Sequence, residues 1–221
     1  MAKIKKQSLV DQIYFRLRED ILNLRFPLGS RINVNEIQEE LGVSSTPLRE
    51  ALNRLQQEGL VVMENNVGAS VLSLDAHDVE EIEELAFTLQ SAAVRFSLER
   101  GDRAAMLQRI EEQLQRYAAA RTTRECTRAV FELIGTFYHN CGNRRLDNSM
   151  IALQGQVLLL RGIYAECPGS RENLDLLEQV RDGVRENDAK IILTALQEYS
   201  RRSQEAVIAW LAEKGARDAR Q

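Results

Sequence analysis

The chain has 221 residues, a formal net charge of −4, 44% hydrophobic and 28% charged residues. That length supports one large domain or two smaller ones, no apolar run reaches the ~18 residues of a membrane span, and no signal-peptide core follows the basic start Met1–Lys6. Three widely spaced cysteines, Cys126, Cys141 and Cys167, make no metal or redox pair and read as reduced, buried thiols of a cytoplasmic protein.

Charge is unevenly distributed. Up to Leu72 the cations Lys3, Lys5, Lys6, Arg16, Arg18, Arg25, Arg31, Arg49 and Arg54 are matched by as many carboxylates, so the remainder carries the whole negative excess. Attraction of this first third to a polyanion would rest on local clustering of cations, not on net charge.

In chain order, Ser8 caps a helix expected to run to about Leu24, with Ile13, Leu17, Ile21 and Leu24 on one face. Phe26-Pro27-Leu28-Gly29 is a turn. Asn33 caps a short helix holding Ile37 and Leu41, which ends where Gly42 supplies a left-handed residue. Ser44, Ser45 and Thr46 offer side-chain oxygens to the N–H groups of the next helix, and Pro47 sits in its first turn. Leu48, Leu52 and Leu55 recur at helical spacing and face a core, while Arg49 and Arg54 fall toward solvent or a phosphate. Leu60 to Glu64 and Ala69 to Leu72 are short strands around the turn Asn65-Asn66-Val67-Gly68. Three helices and a two-stranded hairpin make a winged helix-turn-helix over residues 1–73, and the helix bearing Arg49 has the features of a DNA-recognition helix.

Residues 74–78 are the expected linker, and 79–221 hold no strand signal. Six amphipathic stretches follow: Asp75 to about Arg100, Asp102 to Arg121, Thr123 to Cys141, Arg144 to Glu166, Ser170 to Asn187 and Asp188 to Lys214. Gly101, Gly142 and Cys167-Pro168-Gly169 supply stops. The fold class is therefore mainly α, a winged helix-turn-helix followed by an all-α antiparallel bundle. The run Glu80, Glu81, Glu83, Glu84 reads as a solvated face near a helix start. Tyr138, Tyr164, Tyr199 and Trp210 read as core. His139 and Cys141 are two apart, on different helix faces, and make no dyad. With no phosphate loop or paired-carboxylate motif either, no enzyme is expected.

The chain resembles the GntR-type bacterial transcription regulators, in the FadR-like subfamily with an all-helical effector domain of the FCD type. The likeness rests on Phe26 to Arg31, Gly42 to Leu52, Leu55, Glu58-Gly59-Leu60, the wing Asn66-Val67-Gly68-Ala69 and, in the second domain, Cys141 to Leu146. It implies a homodimeric regulator of transcription, most often a repressor, with double-stranded operator DNA as partner and a small organic effector in the helical domain. The alternative is a DNA-binding regulator whose helical domain is closed to small molecules. The family pattern has arginines where Asn35, Ser45 and Val67 stand, and only Arg49 keeps its type. The resemblance places DNA contacts at Asn35, Ser44, Ser45, Thr46, Arg49, Arg54, Asn66 and Gly68.

Effector domains of this subfamily often hold a metal through one aspartate and three histidines. Those positions become Val130, Ile134, Leu177 and Tyr199, and an arginine and a glutamate usual on the first bundle helix become Ala86 and Gln90. Only His77 and His139 are present, too few for a three-histidine site. Neither metal nor cofactor is expected. Gln90, Arg161 and Tyr199 are the candidate polar contacts to an organic ligand, in a centre that is either an apolar cavity or packed shut.

Overall fold

The computed structural model describes residues 8–64 and 68–218. The chain divides into two compact units, one reaching to Leu74 and including Gln154–Leu159, the other formed by Asp75–Leu153 and the chain from Leu160 onward.

In the first unit, helix α1 (Leu9–Leu22) starts from a reciprocal cap. The Ser8 hydroxyl accepts the Asp11 N–H and the Asp11 carboxylate accepts the Ser8 N–H. The helix stops short of the expected Leu24, whose φ of 56° a right-handed helix cannot propagate. Strand β1 (Arg31–Ile32) precedes α2 (Val34–Leu41), where the Asn33 side chain accepts the Asn35 and Glu36 N–H groups. Gly42 ends α2 at φ 63°, as its residue type requires. Helix α3 (Ser45–Gln57) and strands β2 (Val61–Glu64) and β3 (Gly68–Val71) complete the unit. The sheet has three strands, not the expected two: β3 lies between β1 and β2, antiparallel to both, with Ala69 opposite Ile32 and Met63. A strand of two residues carries no alternation to read. Ile13, Leu17 and Ile21 of α1 and Leu48, Leu52 and Leu55 of α3 are buried together with Leu60. The three helices and small sheet make a winged helix-turn-helix.

The second unit is helical: α4 (Ala76–Arg100), α5 (Arg103–Ala119), α6 (Thr123–Asn140), α7 (Arg144–Ala165), α8 (Leu174–Glu186) and α9 (Ala189–Asp218). Helix α4 packs on α6 and α9, α5 on α6 and α8, and α8 on α9. Asp75 caps α4 reciprocally with Asp78, so residues 76–78, expected in the linker, form its first turn. Helix α8 begins four residues later than expected because Ser170–Asn173 is folded as a turn, with the Asn173 side chain bonded to the Ser170 carbonyl. Where α8 meets α9, a Cβ on Gly183 would lie 2.6 Å from Ile192 Cγ1 and 3.0 Å from its backbone nitrogen, so this crossing requires glycine. All three cysteines are buried free thiols.

Candidate nucleic-acid interface

Helix α3 has two chemically distinct faces. Leu48, Ala51, Leu52 and Leu55 have no exposed surface, which fixes the helix against the core. Ser44, Ser45, Thr46 and Arg49 are exposed around its N-terminal end. The expected side-chain cap is not formed by Ser44, the N-cap residue: its backbone is extended (ψ 167°), as at other N-caps, but its side chain makes no cap hydrogen bond. The positive end of the helix is thus open to an anion. Arg49 makes no hydrogen bond or ion pair with any described residue. Asn35 on α2 is exposed, and Gly68 opens β3 in an exposed position at φ 112°. Asn66 lies outside the described residues.

Arg54 is placed differently from Arg49. Its guanidinium bonds the Asp11 carboxylate at 2.7 Å and stacks 4.1 Å over the Tyr14 ring. Its hydrogen bond is the main reason that the Asp11 carboxyl titrates below the usual range. Tyr14 donates its hydroxyl to Glu58, and Arg18 donates to the same carboxylate at 2.8 Å. Burial pushes the Glu58 carboxyl up. These side chains fasten the C-terminal half of α3 to α1. Tyr14, Arg18 and Glu58 escaped the sequence reading because their partners lie forty or more residues away.

In the helical unit, Arg161 of α7 is buried and its hydrogen bonds stay inside the protein. It donates to both oxygens of Glu83, one at 2.9 Å, and to the Ser203 hydroxyl, while Ser200 donates to Glu83 at 2.6 Å. Burial works against the charge on Arg161, and Glu83 more than offsets it, so the guanidinium is held protonated more firmly than usual. Glu83 is only 4% exposed and does not belong to the solvated face expected for the acidic run. Its neighbours Glu80, Glu81 and Glu84 are exposed.

The Arg161 guanidinium lies 5.3 Å from the centroid of buried Tyr199, which meets Tyr164 edge to face. Burial raises the Tyr199 hydroxyl pKa. Gln90 has its amide nitrogen buried and unpartnered. Ala86, Val130 and Leu177 are buried and Ile134 is half-buried. Among the described residues no group of three His, Cys, Asp or Glu side chains is arranged to hold a metal ion. Nor is any described helix long and apolar enough to cross a membrane.

A helix-turn-helix with an exposed polar N-terminal end on α3, a small sheet beside it and a following all-helical unit define the winged-helix class of proteins. Within that class, residues 9–71 match the model of the gntR family of bacterial regulatory proteins. An uncharacterized HTH-type transcriptional regulator of Bacillus subtilis, YdhC, is 36% identical over 91 residues, 41% of each chain. A relative from Agrobacterium vitis, also named as an HTH-type regulator, is 38% identical over 41% of this chain and 53% of its own. The match thus spans about half or less of these curated relatives. Among solved structures, Escherichia coli McbR/YncC superposes with a TM-score of 0.72 at 19% identity, covering 95% of this chain and 99% of that one. A GntR family member from Pseudomonas syringae gives 0.55 at 23% identity, covering 93% and 87%. At these identities the likeness concerns the fold.

Proposed function

We propose that the chain is a cytoplasmic, homodimeric, sequence-specific DNA-binding regulator of transcription, of the FadR-like subfamily with an FCD-type helical domain. The observation that carries this reading is α3: a polar N-terminal end without a side-chain cap, and an Arg49 with no partner among the described residues, stand opposite a face of wholly buried leucines. Arg49 suits bidentate contact with guanine, and Ser44, Ser45 and Thr46 suit phosphate or base-edge contact. Gly68 lets the wing backbone come close to the minor groove, and Asn66 is the second contact that the sequence assigns to the wing. Dimerisation doubles a short half-site, and the domains so joined span residues 1–73 and 79–221.

Repression is the favoured sign. A relative from Paenarthrobacter nicotinovorans named as a probable D-xylose utilization operon transcriptional repressor is 27% identical over 67% of this chain and 64% of its own. Control by a small organic effector in the helical domain is supported by the unpartnered amide of Gln90 beside an apolar interior. The second reading, a helical domain closed to small molecules, is favoured by Arg161, whose hydrogen bonds go to Glu83 and Ser203.

Selection of bound duplexes from a random pool tests the DNA reading. Enrichment of two-fold-related half-sites is expected, and a pool without enrichment contradicts it. A thermal-shift screen against metabolites separates the two states of the helical domain, since a ligand bound to the native state raises Tm by mass action.

A further inference from the structure

We propose that the groove between α5 and α6 is a binding site for a small organic polyanion carrying two or three carboxylate or phosphate groups. The site is independent of the DNA-binding reading and lies wholly within the helical unit. Arg116 near the end of α5, Arg121 in the connecting turn and Arg128 on α6 line one cleft of about 520 Å³. That volume suits a small molecule. Buried Ala129 and half-buried Ala120 belong to its lining, and side chains this small leave the space open.

The charge balance gives the cleft its specificity. Most arginines of α8 and α9 are paired: Arg181 and Arg185 with Asp182, Arg201 and Arg202 with Glu198. Among the described residues the Arg128 side chain has no partner, the Arg121 side chain makes no hydrogen bond or close ion pair and feels only the charge of Glu125, and Arg116 bonds only the neutral Gln113, at 3.5 Å. Of the two carboxylates in the cleft, Glu125 is already engaged. It accepts the Arg121 N–H at 2.7 Å and the Thr122 N–H at 3.1 Å as part of the α6 cap, and those backbone bonds lower its pKa. Glu125 thus keeps its negative charge, and Glu132 is the second carboxylate of the cleft. Three guanidinium groups from two helices and their turn therefore share the cleft with two carboxylates and leave it net positive.

An acidic surface from a second copy is the less suitable occupant. The acidic cleft of Glu80, Glu84 and Glu198 lies on the α4–α9 side of this unit. Pairing two different patches in this way is heterologous and propagates into open chains unless the rotation closes.

Isothermal titration of the full chain with citrate, at ionic strength matched with sodium chloride, is the test. Saturable citrate binding is expected for the wild type. Arg121→Ala/Arg128→Ala, at exposed positions that keep the helical circular dichroism, should weaken it by about tenfold or more, equivalent to ~1.4 kcal/mol. Glu132→Gln should tighten it. No citrate heat beyond the chloride control, or unchanged binding by the double variant, overturns the proposal. It is also overturned if the double variant loses affinity for duplex DNA while its citrate binding is unchanged, since the groove would then serve the nucleic acid. Loss of DNA selection by the wild type, with citrate binding intact, would count against the DNA reading alone.

Discussion

The two units of this chain treat charge in opposite ways. The winged helix has a core of leucines, with Leu48, Leu52, Leu55 and Leu60 fully buried; its ion pairs, such as Arg54 with Asp11, keep a guanidinium or carboxylate at least partly exposed, even where the Asp20 partner of Arg16 and Arg25 is buried. The helical unit buries a carboxylate, a guanidinium and the Ser203 hydroxyl within α4, α7 and α9, with half-buried Ser200 bonded to the carboxylate. A small domain with little apolar area to spare tolerates such burial poorly, whereas a larger one can carry it. A buried pair of this kind adds little net stability, but it penalises any packing in which the charges fail to meet. The first unit thus fastens its helices with polar groups near its surface and leaves Arg49 exposed, and the second spends a buried set on holding its own helices in register.

The largest expected effect follows from breaking that buried pair. Arg161→Ala leaves Glu83 in the interior without its counter-ion and should cost about 3–5 kcal/mol in the unfolding transition of the helical unit. Glu83→Leu with Arg161→Met should recover most of the loss, because a packed apolar pair removes the desolvation penalty. Urea melts followed by circular dichroism measure both; a single and a double variant of equal stability would erase the contrast between the units. In the winged helix the comparable deletion acts by leaving a cavity. Leu52→Ala should cost about 2–5 kcal/mol, and differential scanning calorimetry should place the loss in the transition of that unit.

Helix caps should matter equally in both units, which sharpens the contrast by limiting it to the interior. Ser8→Ala and Asp75→Ala each remove a reciprocal cap and should each cost about 1 kcal/mol in the same melts. The smallest effect concerns Glu198. Its hydrogen bonds to Arg201 and Arg202 hold the carboxyl down to about 2. Because the folded-state value lies below the unfolded one, its contribution is complete above the ordinary carboxylate range and is lost as pH falls through about 2. Glu198→Gln should therefore shift Tm slightly at neutral pH and not at all below pH 2, since this pair is exposed to solvent and unlike the Glu83 pair.

Local signals in the sequence were sufficient for most of the architecture. Ser8, Asn33 and Gly42 stand at the helix ends where their side chains or backbone freedom place them, and Leu48, Leu52 and Leu55 announce the buried face of α3. Strand β1 was not legible, because two residues have no period. Nor was the role of Glu83: within the run Glu80 to Glu84 it has the same residue type as its exposed neighbours, and only Arg161, 78 positions away, distinguishes it. Arg54 and Arg49 likewise share a residue type and a helix, and their difference is set by Asp11 and Tyr14 on α1. Side chains whose environment is set by long-range packing are the part of the site that periodicity cannot supply.

Those two arginines provide the most direct measurement of the central claim, that α3 presents Arg49 to DNA and uses Arg54 to hold the helix in place. Fluorescence anisotropy with the selected duplex and a scrambled one should show Arg49→Ala losing about 1–3 kcal/mol of specific affinity at unchanged Tm. Arg54→Ala should instead lower Tm, with any loss of affinity following that loss of stability. Wild-type affinity in Arg49→Ala would contradict the claim, as would a loss in Arg54→Ala that equals it at unchanged Tm.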